Sequence, residues 1–241
     1  MEKPPVTPPA TTEPDPAEPR RYGRGLFLAT VAGGVSSLYW GKAAWSRVSG
    51  VVSPVAGAIA PILPTGGWRI YTVSGSMPVF DPAAWRLTVG GMVDKPVSLT
   101  YDQLRALPRV EQVSTFHCVT GWTVENVTWA GVRIGDLLSL AGPHAEAHAL
   151  RFVSMEKPYV DYLTLRQASL HDVMLAYEME GKPLPQEHGA PLRLIIPEMY
   201  GYKNVKWLER IELVARPGSG YWEQLGYDRD AWVGHSNGYG T

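Results

Sequence analysis

Twenty-one prolines and twenty-five glycines are spread through this chain of 241 residues, and they restrict its fold more than any other feature. Proline breaks a helix interior and glycine weakens one, so a helical bundle is excluded. Short strands, many turns and long ordered loops are expected instead. With 45% hydrophobic residues the chain can bury a sizeable core, and its length suits one domain with appendages. A formal net charge of −1 leaves no general basic field to recruit nucleic acid. Strong cations inside the domain must then serve local anions.

The chain divides into three parts. Residues 1–24 form a proline-rich, acidic arm ending in Arg20, Arg21 and Arg24, with almost nothing to bury, and disorder is expected. Residues 25–65 hold an apolar run, Leu26 to Trp40, followed by a proline-broken linker. Paired arginines before an apolar run resemble a twin-arginine export signal, so an extracytoplasmic location, periplasm or cell envelope, is expected. The alternative is an uncleaved anchor through residues 26–40, a run short of the roughly 20 residues a bilayer span requires. Residues 66–241 read as one globular domain.

Within that domain, Trp85 to Val89 alternates apolar and polar residues, as a half-buried strand does. Thr100-Tyr101-Asp102-Gln103 has capping-box spacing and opens a short helix that stops before Pro108. Val132 to Leu140 has helical periodicity and ends at Gly142-Pro143. Leu192 to Pro197 and Ile211 to Val214 look like core strands, and the Gly-, Tyr- and Trp-rich tail after Pro217 is expected to wrap the domain. The fold class is α+β, with more strand than helix.

Cys118 is the single cysteine, which excludes an internal disulfide and any cysteine-pair metal site. It is either a small buried apolar residue or a thiolate with a chemical task. Arg193 interrupts an apolar strand, and Lys203, Asn204 and Lys206 follow in a Gly-Tyr loop. These donors suit a phosphate or the polar edge of a cofactor. Spacing alone equally allows Arg193 to pair with Glu198, Glu209 or Glu212, with the lysines solvated. His144 and His148 have i,i+4 spacing but lack a third convincing metal ligand.

Three segments in order carry a resemblance: Cys118-Val119-Thr120-Gly121-Trp122, His188-Gly189-Ala190-Pro191-Leu192-Arg193, and Tyr200-Gly201-Tyr202-Lys203-Asn204-Val205-Lys206-Trp207. Together they resemble the sulfite oxidase superfamily, enzymes built on a mononuclear molybdenum–molybdopterin cofactor. The resemblance runs from about Trp68 to Trp232. It is nearest the haem-free exported branch that includes the periplasmic methionine-sulfoxide reductase catalytic subunit. It implies a sulfite-oxidase-type mixed α/β molybdopterin-binding fold, and it implies that Cys118 ligates molybdenum through its thiolate. By the same resemblance His188 contacts the cofactor, Arg193 grips its phosphate, and Asn204, Val205 and Lys206 form a cofactor-binding stretch. Ser154 stands on the pterin side, and Tyr71, with its neighbour Arg69, falls in an N-terminal cofactor-contacting segment.

The resemblance further implies two-electron, oxygen-atom-transfer chemistry on a small-molecule substrate. With no haem region, electrons are expected to pass through a separate partner, a membrane b-type or soluble c-type cytochrome. A monomeric catalytic subunit is expected, because the C-terminal dimerisation domain of sulfite oxidases has no counterpart. Sulfite oxidases also carry an arginine just after the ligand cysteine, whereas Val119, Thr120, Gly121 and Trp122 bring no positive charge. Two other classes stay open: a cysteine-nucleophile enzyme using Cys118 with His117 or His188 as base, and a non-catalytic binding module on the same fold.

Overall fold

In a computed structural model, residues 62–65 and 67–235 are described. The proline-rich arm and the export or anchor segment lie outside these residues, apart from Ile62–Thr65. Among the described residues twelve strands and three short α-helices form a mixed α+β fold. No helix among them is long and apolar enough to cross a membrane.

Two five-stranded sheets make the body. The first runs β10–β9–β6–β5, where β5 is Val110–His117, β6 is Thr123–Arg133, β9 is Met174–Met179 and β10 is Lys182–Pro183. Strand β11, Arg193–Ile195, lies along β9 with Arg193 opposite Ala176. The second sheet has the order β4–β3–β12–β7–β8, comprising Val97–Leu99, Leu87–Gly91, Leu208–Val214, Ala149–Ser154 and Val160–Thr164. Its β3–β12 pair is parallel and the others are antiparallel. A small antiparallel hairpin, β1 (Ile62–Thr65) with β2 (Trp68–Ile70), completes the strands.

The two sheets share one core. Leu87, Phe152, Leu163, Ile211 and Leu213 from the second sheet join Val132, Leu175, Tyr177 and Leu194 from the first. The opposite face of the first sheet carries a second cluster, containing Val127, Trp129, Met174, Ala176 and Ile195, and β2 contributes Trp68 and Ile70 to it. Strand periodicity of two therefore decides Arg193's surroundings. Leu194 enters the shared core, while Arg193 shares its face with Ile195 and meets the aromatic second cluster.

Several sequence expectations hold. Helix α1, Tyr101–Arg105, has the full capping box: Thr100 Oγ1 accepts from Gln103 N–H, and Gln103 Oε1 accepts from Thr100 N–H. Helix α2, Ile134–Ala141, ends at Gly142 in the left-handed region. Its start is corrected, because Val132 and Arg133 pair with β9 and belong to β6. Helix α3, Leu165–Ala168, repeats the capping-box arrangement with Thr164 and Gln167. The expected core strands are β11 and β12. The tail wraps the domain, with Tyr200 N–H donating to the Ala231 carbonyl and Val233 N–H to that of Glu198.

Candidate functional site

A cleft of about 940 Å³, counted out to its open mouth, opens where β2, the β5–β6 turn, the end of β7, β11 and the tail converge. Seven of the eight residues expected at the site line it: Tyr71, Cys118, Ser154, His188, Arg193, Asn204 and Lys206. Val205 does not. Its side chain is fully buried in the shared core, its N–H donates to the Lys203 carbonyl, and its own carbonyl accepts from Leu194.

Cys118 sits in the tight turn between β5 and β6. Its N–H donates to the Trp122 carbonyl at 2.9 Å, and its carbonyl accepts from Gly121 N–H at 3.0 Å. That turn requires φ of +91° at residue 121, a conformation glycine adopts without strain. The cysteine is half-buried, with Sγ 3.2 Å from Thr120 Oγ1. Burial raises the thiol above its usual range, while the Thr120 hydrogen bonds and the Arg69 charge oppose the rise. Neither His117 nor His188 hydrogen-bonds to this sulfur among the described residues, so the nucleophile–base pair of the cysteine-enzyme class is not formed.

The same cleft holds a buried positive pole. Arg193 is 2% exposed and donates from Nη1 to the His188 carbonyl at 2.9 Å. Its guanidinium lies over the rings of Trp129 and Phe116, at 5.1 and 5.5 Å from their centroids. Nε has no hydrogen-bond partner among the described residues. The carboxylates that spacing allowed it are occupied or elsewhere: Glu212 pairs with Arg151 and Arg210, and Glu209 with Lys157. Burial lowers the guanidinium to about 9.

Lys206 lies beside it. Nζ donates to the carbonyls of Tyr71 at 2.8 Å and Glu187 at 3.4 Å, and rests 4.0 Å from the Trp207 ring centroid. Burial, then the neighbouring Arg193 charge, lowers the ammonium to about 7. Burial and the same two cations hold His188 down at about 4, so its imidazole is neutral at physiological pH. It packs edge-on against Trp68, centroids 4.8 Å apart. Burial lowers all three groups, as it does where basic side chains share a space with little counter-charge.

The backbone approaches closely around this pole. Gly189 has φ of +111°, and a Cβ there would stand 2.9 Å from Lys206 Cβ. Ser154 Oγ donates to the Lys206 carbonyl and accepts from Glu156 N–H, tying β7 to the lysine loop. Asn204 Oδ1 accepts from Ile196 N–H at 2.6 Å, so its acceptor is spent on fixing that loop. Lys203 corrects the sequence reading: it is not a cleft donor. Its ammonium is fully buried between Asp161 and Glu223, on the tail side of the domain.

Sequence reasoning missed several walls of the cleft. Glu156, 4% exposed, accepts from Val73 N–H, Ser74 N–H and Ser74 Oγ, and its charge partly opposes the lowering at Lys206. Trp68, Phe116, Tyr159 and the tail residues Trp222 and Tyr227 also line the space. Nothing in their sequence spacing separates them from ordinary core aromatics. His144 stands 3.3 Å from Asp94, and no cluster of three or more metal-binding side chains occurs among the described residues.

One soft sulfur donor, a buried cation pair with no ion-pair partner among the described residues and a mostly apolar cleft suit an anionic, sulfur-liganded metal cofactor. Comparison with known proteins agrees. Residues 74–222 match the family described as the oxidoreductase molybdopterin binding domain, and the chain belongs to that family within the sulfite oxidase superfamily. It is an oxidoreductase whose cofactor is molybdopterin.

Among its relatives, the Bacillus subtilis oxidoreductase YuiH is 35% identical over 199 residues, covering 81% of this chain and 96% of that protein. The sulfite oxidase of Arabidopsis thaliana is 30% identical, covering 64% of this chain and 48% of its own length. The protein-methionine-sulfoxide reductase catalytic subunit MsrP of Xanthomonas axonopodis is 33% identical, covering 58% and 48%. The chain thus spans about half the length of those two enzymes. The crystal structure of the sulfane dehydrogenase SoxCD from Paracoccus pantotrophus shares the fold, with a TM-score of 0.60 at 25% identity over 69% of this chain and 49% of that one.

Proposed function

We propose that this chain is an exported molybdenum–molybdopterin oxidoreductase that exchanges electrons with a separate redox partner and acts on a small substrate. Arg193 carries the reading: a buried guanidinium with an unpartnered Nε and no ion-pair partner among the described residues shares one cleft with the single cysteine. The residues fit the group in kind. Cys118 would offer the soft ligand, Arg193 and Lys206 would hold the phosphate, and His188, Tyr71, Ser154 and Asn204 would contact the pterin. When bound, the group supplies two-electron redox chemistry with transfer of an oxygen atom.

The protein's part is to bind, orient and exclude water. Arg193 supplies fixed donors, and Lys206 regains its proton when an anion arrives. Trp68, Phe116 and Trp122 keep the Cys118 side apolar. A membrane b-type or soluble c-type cytochrome is the proposed electron partner. The paired arginines ahead of the apolar run support export, as does kinship with the MsrP enzymes.

The test is molybdenum and pterin content of protein purified from a host that makes the cofactor, beside Cys118→Ala and Arg193→Gln. Near-stoichiometric metal and pterin are expected in the wild type. Cys118→Ala should alter metal retention while the pterin stays, and Arg193→Gln should lower pterin occupancy about tenfold or more. Folded wild-type protein free of both would overturn the reading.

A further inference from the structure

We propose that Glu156 is a positioning residue: it fastens residues 71–80 as one wall of the cleft, and that wall opens when bound cofactor leaves. The inference rests on the cofactor reading above and adds to it how the group is kept and released.

Strand β2 ends at Ile70, and the next backbone turn begins at Asp81, whose carbonyl accepts from Trp85 N–H. Between them, residues 71–80 belong to no strand or helix and make no backbone–backbone hydrogen bond among the described residues. Met77 and Phe80 rest partly buried against the two cores. Every hydrogen bond from this strap to the rest of the described domain goes to a side chain. Gln186 Nε2 donates to the Pro78 carbonyl at 3.0 Å, and Lys206 Nζ to that of Tyr71 at 2.8 Å. Glu156 Oε1 accepts from Val73 N–H at 2.6 Å, Ser74 N–H at 3.1 Å and Ser74 Oγ at 3.3 Å. Glu156 thus supplies more of the ties than the other two together. A segment held this way opens at lower cost than a strand inside a sheet.

The ties close a circuit. Glu156 N–H donates to Ser154 Oγ at 3.0 Å, and Ser154 Oγ donates to the Lys206 carbonyl at 2.7 Å. Lys206 Nζ then returns to Tyr71, two residues before Val73. The strap, the end of β7 and the lysine loop are joined in this way, and Tyr71, Val73, Ser154, Glu156 and Lys206 all line the cleft. The sign of its charge makes Glu156 informative. It is 4% exposed in the same cleft as Arg193 and Lys206, yet forms no ion pair among the described residues. A carboxylate there opposes an incoming anion. Burying it is costly unless it is hydrogen-bonded, and the strap supplies the donors. Its charge thus works against the anion while its oxygen holds the wall.

The test uses two variants. Glu156→Gln keeps the shape and an acceptor oxygen but loses the charge that strengthens its hydrogen bonds. Gln186→Ala removes the Pro78 tie and leaves the charge of the cleft alone. Loaded protein is diluted and released pterin followed by fluorescence; hydrogen exchange is read by mass spectrometry on the same proteins made empty. Glu156→Gln should release pterin about tenfold faster. Exchange in the peptide covering residues 71–80 should quicken by a similar factor, while the two sheets keep wild-type rates. Gln186→Ala should move release and the same peptide in the same direction, by a smaller factor. Sulfate at pH 6 should bind empty Glu156→Gln at least as tightly as the wild type, because the lost charge opposed it. Unchanged or slower release by Glu156→Gln, or exchange quickened throughout the domain, would overturn the proposal. So would weaker sulfate binding, which would place the effect in the anion site, or a Gln186→Ala strap that loosens with release unchanged. Wild-type protein lacking metal and pterin would sink the cofactor reading separately; exchange on the empty protein still decides whether Glu156 holds the strap.

Discussion

Arg193 keeps its charge where a charge is costly. Removing an ion from water carries a penalty of several kcal/mol after relaxation. Two aromatic faces return roughly 0.5–2 kcal/mol each, and one carbonyl accepts a hydrogen bond. The remainder waits for an anion. Lys206 reports the same imbalance in a form that can be titrated. With its ammonium lowered to about 7, it is half-charged at pH 7 in the empty cleft. An anion placed beside it favours the charged form, so anion binding takes up a proton. Sulfate, which does not itself titrate in this range, should bind the empty protein with uptake of about half a proton at pH 7. Its affinity should fall as pH rises from 7 to 9, because more of the lysine must be recharged. Calorimetry in buffers of different ionisation heat measures this. Lys206→Met should abolish the uptake, and a wild-type value near zero would refute the assignment.

At the scale of elements, the lysine loop is held from two sides. One side is Ser154 and Asn204, which fix its backbone. The other is Lys203, whose buried ammonium joins Asp161, next to the start of β8, to Glu223 in the tail. Glu223 also accepts from Gly220 N–H, and Tyr202 donates to the Asp228 carbonyl, so the tail carrying Trp222 and Tyr227 into the cleft is fastened at several points. Removing the cation alone strands two carboxylates in a dry place. Lys203→Met should therefore cost about 3–5 kcal/mol in urea unfolding. Glu223→Gln, which keeps one charge pair, should cost less and expose the tail to protease first. A Lys203→Met loss under 1 kcal/mol would show that the triad contributes little. None of this could be read in the sequence, where Asp161, Lys203 and Glu223 are ordinary charges far apart. What could be read was local: the Thr100 capping box, the Gly142 stop, the apolar runs of β11 and β12. The hairpin of β5 and β6 escaped because Val110 to His117 is half-exposed and rich in polar residues, without a clean alternation of burial. The site residues were legible only through resemblance, since spacing left Arg193 free to pair with a glutamate.

For the molecule as a whole, the cleft is a joint. Cys118 and Arg193 stand on the first sheet, Ser154 ends a strand of the second, Trp68 and Arg69 belong to the small hairpin, and Trp222 comes from the tail. A bound group that touches all of them links parts that otherwise meet through the shared core and backbone, and it relieves the repulsion between Arg193 and Lys206. Such a ligand binds the folded state and not the unfolded one, so it stabilises by mass action. At a thousandfold excess over its Kd the gain is about 4 kcal/mol. For a domain of this size each kcal/mol moves Tm by roughly 2–4 °C, which sets the expected loss on emptying the cleft at about 10 °C. The comparison is thermal unfolding of cofactor-loaded protein against the same protein made in a host unable to synthesise molybdopterin. Arg193→Gln supplies the control: neutralising the buried charge removes both the repulsion and the grip on the anion, so its empty form should match or exceed the empty wild type while gaining less from loading. If loaded and empty wild type unfold within a degree of each other, the group does not bridge the sheets, and the cations must find their counter-charge elsewhere.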